Sequence, residues 1–223
     1  IFSENRFIGN DRISDANQLT AAMVSRYIEE SGTERLRVAL AQRFYFDDQR
    51  VTLGTPTGQN KSDILASGVM QISNALRTEG NLQYSSSQKT VSRGNAGLSW
   101  RPEPKKVVNL TYRVDVPNAL RQVDVSGQWP IADRWYGVGR LNYSLPNDYA
   151  NRPGFTATAV PPARGLSEGL LGLEYKADCW IFRVVAQRIP TATGRSTSTL
   201  FFQLELSGLT KLGSDPLLSL IHI

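Results

Sequence analysis

Histidine and cysteine are almost absent from this chain: His222 and Cys179 are the only ones among its 223 residues. A single cysteine excludes a disulfide within the chain and a zinc site built on thiolates. A single histidine leaves little room for a Ser-His-Asp triad or an imidazole metal centre. Long apolar runs are missing too. No window approaches the roughly 18–20 apolar residues of a spanning helix, and mean hydropathy is −0.29. That excludes a helical membrane protein but not a membrane β-barrel, whose strands alternate apolar and polar residues and so keep the average low. Sustained helical periodicity, internal repeats and a signal peptide are also lacking. The chain starts at Ile1 rather than Met, so it reads as an internal fragment, and a missing leader then carries no message about location. Charge of one sign is not concentrated anywhere. The net charge is +5 with a pI near 9.5, but Lys and Arg are scattered and basic-aromatic RNA motifs are absent, which argues against nucleic acid as a partner.

The last six residues, Leu218 to Ile223, read as a translation of CTG TCT CTT ATA CAC ATC, a transposon-type sequencing adapter. They are set aside from the fold, and His222 goes with them.

What the chain does have is alternation with a period of two. In "RLRVALAQRFYF", Leu36, Val38, Leu40, Phe44 and Phe46 share one face, and Arg35, Arg37, Ala39, Ala41, Arg43 and Tyr45 the other. "VVNLTYRV", "LLGLEYK", "CWIFRVVAQ" and "TLFFQLELSG" repeat the pattern, with Arg113, Arg183 and Glu205 on the polar side. Weaker strand patterns cover 17–28, 63–73, 78–86, 91–101, 122–129 and 135–144, giving about eleven strands separated by turn-like Gly, Pro, Asn and Asp clusters. Leu145 to Gly165 is the longest such stretch and reads as an exposed loop; Pro130 is expected to end a strand.

The expected fold is therefore all-β, and two architectures compete for it. A soluble sandwich buries one face and wets the other. A barrel turns its apolar face to lipid and its polar face to the lumen. Trp100, Trp129, Trp135, Trp180, Tyr112 and Tyr143 fall at or near strand ends, where an aromatic girdle would place them. The pitch of about 20 residues per strand is long for a sandwich, whose turns recur every ~8–12 residues. In a barrel, Arg35, Arg37, Arg43, Arg113, Arg183 and Glu205 are candidates to line the lumen; in a sandwich they are simply solvated.

Signatures of catalysis are weak. "LGTPTGQNKS" has the flavour of a P-loop, but Gly54 to Gly58 is one residue short of the required spacing and Lys61 does not follow the second glycine. The acidic pairs Glu29-Glu30 and Asp47-Asp48 are adjacent, and adjacent strand residues point to opposite faces. A hydrolase built on Ser and Lys or on two carboxylates stays formally open, without a spacing that supports it. The expectation is a non-enzymatic protein with no cofactor and no metal.

Four stretches resemble one known family. "IFSENRFIGNDRISDANQLT" (1–20), "WPIADRWYGVGRLNY" (129–143), "GLEYKADCWIFRV" (172–184) and "FFQLELSGLTKLGSDPL" (201–217) are similar to LptD, the lipopolysaccharide-assembly outer-membrane family also called OstA or organic-solvent-tolerance protein. They fall in that family's order and reach essentially to Leu217. Single Cys179 and the ending Gly213-Ser214-Asp215-Pro216 are similar to members from betaproteobacteria.

The resemblance implies that 1–217 is the C-terminal part of a 26-strand antiparallel outer-membrane barrel, preceded in the family by a periplasmic jelly-roll domain. It implies a partner set of lipopolysaccharide, an LptE lipoprotein plug, a periplasmic LptA bridge acting through the N-terminal domain, and outer-membrane lipid. It further implies that Cys179 forms a disulfide to that N-terminal domain; where the family usually has two adjacent cysteines, this chain has Asp178-Cys179. The last strand, 199–206, would carry one lip of a lateral gate through Leu200, Phe202, Leu204 and Leu206, with Gly208 allowing a bend at its end. The rival readings are a general porin or small-solute channel and a soluble all-β binding module.

Overall fold

The computed structural model describes residues 17–48, 50–51, 60–146, 164–190, 196–206 and, for the backbone, 210–213. Most of the N-terminal motif, the Gly54–Gly58 loop, the bulk of the 145–165 loop, Gly208 and the terminal hexapeptide lie outside the described residues. The secondary structure among the described residues is all β, in strands whose hydrogen-bonded order follows the chain from β1 to β12. The chain divides into two compact units, one of residues 1–71 and 79–94, the other of 72–78 and 95–223.

The first unit is built on β1 (Gln18–Ile28), β2 (Glu34–Tyr45) and β3 (Ile64–Gln71), an antiparallel meander. Its register sets Leu36, Val38 and Leu40 of β2 level with Tyr27, Ser25 and Met23 of β1. On the other side of β2, the same residues face Met70, Gly68 and Ala66 of β3. One face is thereby mostly apolar, and Met23, Tyr27, Val38, Leu40 and Met70 on it are all exposed. Gly32 turns the chain between β1 and β2 at φ +80°, a conformation that favours glycine.

β4 (Leu76–Ser85) and β5 (Thr90–Trp100) run through the division between the units. The second unit continues with β6 (Val107–Asp115), β7 (Leu120–Ala132), β8 (Trp135–Ser144), β9 (Gly165–Lys176), β10 (Trp180–Pro190), β11 (Ser196–Leu206) and β12 (Thr210–Gly213). From β6 onward each strand pairs antiparallel with the next.

The weaker sequence patterns are strands: β7 is longer than expected, β3 is shorter, and β8 matches its expected bounds. β9 begins at Gly165, the last residue of what reads as loop, because Gly165 and Gly169 leave no side chains to show alternation ahead of "LLGLEYK". Pro130 does not end β7. It lies within the strand opposite Tyr136, where the register slips between Pro130 and Ala132; an irregular ladder tolerates a residue that cannot donate. β12 is an addition to the eleven expected strands. Its four residues are too few for alternation to register in sequence, so β11 is not the last strand of the sheet.

Register in the second unit separates two faces. Leu110, Val125, Leu141, Leu171, Val184 and Phe202 stand on one of them, and the even positions Leu200 to Leu206 of β11 lie there opposite Ala186, Val184, Phe182 and Trp180. Leu171 is 73% exposed, and Leu141, Leu200 and Phe202 each 55%. An apolar face this large and this open is not a surface for water. The opposite face carries Asn109, Thr111, Asp124, Arg140, Glu174, Arg183, Gln203 and Glu205, with Val107, Val138, Leu170 and Val185 buried among them.

Candidate functional site: the polar face, the edge strands and the Cys179 turn

The polar face holds a charged cluster across three strands. Antiparallel pairing sets Arg183 of β10 directly between Glu174 of β9 and Gln203 of β11. Its guanidinium donates from Nε to Glu174 and from Nη1 to Glu205 Oε2 at 2.9 Å and Gln203 Oε1 at 3.3 Å. Lys176 Nζ lies 2.8 Å from the other oxygen of Glu174. The Glu174 side chain is only 1% exposed and that of Arg183 11%, so these charges are tolerated because they pair with one another. A second group continues the face two rows along the strands. Arg140 donates to Asp124 at 2.7 Å and lies 4.0 Å from Glu168, which accepts from Gln187 at 2.8 Å.

Of the charged residues singled out in sequence, Arg183 and Glu205 are the two that the structure brings together. Arg35, Arg37 and Arg43 share a face of β2 in the first unit but take separate local partners. Arg35 pairs with Glu29 at 2.7 Å, Arg37 with Glu34 at 2.8 Å, and Arg43 donates to Thr20 Oγ1 at 3.1 Å. Arg113 is exposed on β6, on the polar face of the second unit, level with Gln122. Alternation alone misses Glu174, Lys176 and Gln203 as members of the cluster. Their side could be read from sequence, but their coincidence with Arg183 depends on register between strands.

Aromatic rings gather at one end of the second unit. Trp100 meets Trp129 at 5.9 Å between centroids, Trp135 meets Tyr175 at 5.0 Å, and Tyr175 meets Trp180 at 5.2 Å. Lys106 lies over the Trp129 ring at 5.3 Å. Tyr112 and Tyr143 stand toward the other end of the apolar face. Trp135 and Tyr143 are eight positions apart on β8, about 27 Å along a strand at ~3.4 Å per residue. A barrel tilt of roughly 35–45° reduces that to about 20 Å, close to the ~25 Å apolar band of a membrane barrel.

Loop lengths differ between the same two ends. The β5–β6, β7–β8 and β9–β10 connections at the tryptophan end span residues 101–106, 133–134 and 177–179. The opposite end carries the short connections 116–119 and 191–195 together with one long one, 145–164 between β8 and β9. Cys179 sits in the short β9–β10 turn, exposed and as a free thiol. That turn is tied to its neighbour: Lys176 N–H donates to the Arg134 carbonyl at 2.9 Å, and Arg134 Nη2 lies 3.4 Å from Asp178. The nearby negative charge of Asp178 raises the pKa of Arg134 further above its usual value.

β11 has unequal partners. It pairs with β10 along its full length, Ser196 to Leu206, but with β12 only over Gln203 to Leu206. Among the described residues, Ser196 to Phe202 therefore have a ladder partner on one side only. Among the same residues, no group of three or more His, Cys, Asp or Glu side chains is placed to hold a metal.

The antiparallel meander of the second unit, with one open apolar face, a charged opposite face and aromatic rings at the ends of its strands, has the pattern of a membrane-type β-barrel wall. The comparisons specify which kind. The family model LptD, LPS transport system D, matches residues 1–135. The curated LPS-assembly protein LptD of Thiobacillus denitrificans is 47% identical over 220 residues, 97% of this chain and 28% of that protein. Those of Ralstonia nicotianae and Nitrosospira multiformis are each 40% identical over 97% of this chain, covering 26% and 22% of their own lengths. The chain belongs to the LptD family and resembles its betaproteobacterial members. It spans about a quarter of the length of these relatives.

Proposed function

We propose that this chain is the C-terminal part of an outer-membrane barrel that inserts lipopolysaccharide into the outer leaflet, a transport step without covalent chemistry. The observation that carries the reading is the two-faced sheet of the second unit, in a chain of the LptD family. The apolar face meets lipid between two aromatic levels, and the polar face lines the lumen. Arg183, Glu205 and Arg113 stand on that inner wall; Arg35, Arg37 and Arg43 are the lumen candidates of the first unit.

In bacterial barrels short turns face the periplasm and long loops the exterior. Cys179 belongs to a short turn, beside the tryptophan rings and at the end opposite the one long connection, which supports a thiol on the oxidising periplasmic side. This supports a disulfide to an N-terminal domain of the parent protein. Such a bond would hold the lipid-carrying domain beneath the barrel, with an LptE plug and an LptA bridge as further partners. β11 and β12, joined over four residue pairs among the described residues, form one side of the lateral gate, with Leu200, Phe202, Leu204 and Leu206 turned to the membrane. A porin built on the same wall would need neither the thiol nor a weak seam.

The test uses the full-length parent protein in a Gram-negative host depleted of its own copy. Newly made lipopolysaccharide reaches the surface with the wild type. On gels, membranes show a reductant-sensitive mobility shift that Cys179→Ser removes. Solute influx without lipopolysaccharide export, together with mobility indifferent to reductant, would turn the assignment to a plain channel.

A further inference from the structure

The apolar face of the second unit carries a groove of about 650 Å³ that the transport reading does not use. It crosses β6 to β11 because the residues forming its floor are small: Gly127 pairs with Gly139, and Gly169 and Ala186 follow on the next strands. Val125, Leu141 and Leu171 wall it. Its volume lies within the ~300–1,000 Å³ of cavities that take small ligands. In a bilayer such a groove does not stay empty, since its lining would lose dispersion contacts on one side.

One end of the groove is charged. Arg188 lines it from the outward face of β10, two residues before the strand ends at Pro190. Its directly paired cross-strand neighbours are Gly169 and Ser198, with the Leu166 side chain lying over Gly169. It is exposed and makes no ion pair or hydrogen bond among the described residues. This separates it from Arg183 and Arg140, which are fully engaged on the other face. A cation on the lipid face is tolerated near the interface, where it can reach toward a headgroup.

We infer that this groove is a binding site for a phosphate-bearing membrane lipid, with an acyl chain lying against Leu141 and Leu171 and the phosphate accepting hydrogen bonds from Arg188. The groove supplies shape for a flexible hydrocarbon, and the Arg188 guanidinium supplies a charge that selects an anionic head. The inference needs only that the apolar face is the membrane face; it stands or falls separately from lipopolysaccharide export.

The test is native mass spectrometry of the full-length parent protein in detergent. It is titrated with dimyristoyl phosphatidic acid and, in parallel, with dimyristoyl phosphatidylcholine. One phosphatidic acid is expected to remain bound where phosphatidylcholine does not. Arg188→Ala weakens retention by about tenfold or more, the worth of a lost charge-assisted hydrogen bond, whereas Arg188→Lys keeps most of it. Ala186→Leu fills the groove without touching the charge and also releases the lipid. Heat-dependent gel mobility verifies that each variant is folded. Equal retention of both lipids, or unchanged phosphatidic acid binding in folded Arg188→Ala or Ala186→Leu, overturns the site. So does a co-purifying protein that occupies the groove in place of lipid.

Discussion

Replacing Arg183 by methionine should destabilise the folded parent protein by about 3 kcal/mol, on the order of a hundredfold in the folding equilibrium. Methionine keeps the length and apolar stem of the side chain and removes only the guanidinium. Three acceptors then lose their donor: Glu174, Gln203 and Glu205. The cost concentrates on Glu174, whose side chain is 1% exposed and cannot recover water. Breaking a buried ion pair from one side typically costs ~3–5 kcal/mol. The lower end applies here because Lys176, 2.8 Å from Glu174, remains as a countercharge. Glu174→Gln alone should cost less, since Arg183 keeps Glu205 at 2.9 Å. The double variant should fall short of the sum of the single costs by at least about 1 kcal/mol, the signature of two groups in contact. The assay is urea unfolding of the full-length protein in lipid vesicles, followed by gel mobility. Additive costs, or a loss below about 0.5 kcal/mol for Arg183→Met, would refute the view that this cluster pins β9, β10 and β11 together.

Leu171→Arg, on the open apolar face, should cost roughly 2–4 kcal/mol if it sits near the bilayer midplane, whereas Thr111→Arg on the polar face should be close to neutral. Assembled protein recovered from outer-membrane fractions reads the difference, and equal losses would contradict the assignment of faces. Gly172→Ala should destabilise by about 1–3 kcal/mol, because a Cβ there would come within 2.9 Å of the Val184 carbonyl and of Val185. Gly32→Ala has open space around it and should cost only about 1 kcal/mol, from its positive φ alone. Urea midpoints of the two variants separate crowding from backbone strain.

Much of the fold is legible in the residues themselves. Arg35 to Tyr45 alternate with Gln42 as the exception, enough to mark β2 as a strand, and the faces of β6, β10 and β11 follow from the same rule. Scarcity of histidine and cysteine leaves little room for an imidazole or thiolate centre, and the tryptophans at strand ends have the placement of a membrane girdle. β12 escaped because four residues carry too little pattern, and the early start of β9 because glycines erase alternation where it would be read.

The charged cluster was half visible. Period two assigns Arg183 and Glu205 to a polar side, but nothing local reveals that Glu174 and Gln203 stand on the same rung. The groove was hidden altogether: Gly127, Gly139, Gly169 and Ala186 are scattered through the chain and form one floor only when four strands are laid in register. Sequence thus determined which residues of each strand share a face, because side chains alternate along a single strand by its own geometry. Which residues meet across the sheet was decided only by tertiary structure, because the offset between strands is set by many pairings at once and a slip of one residue would exchange every face.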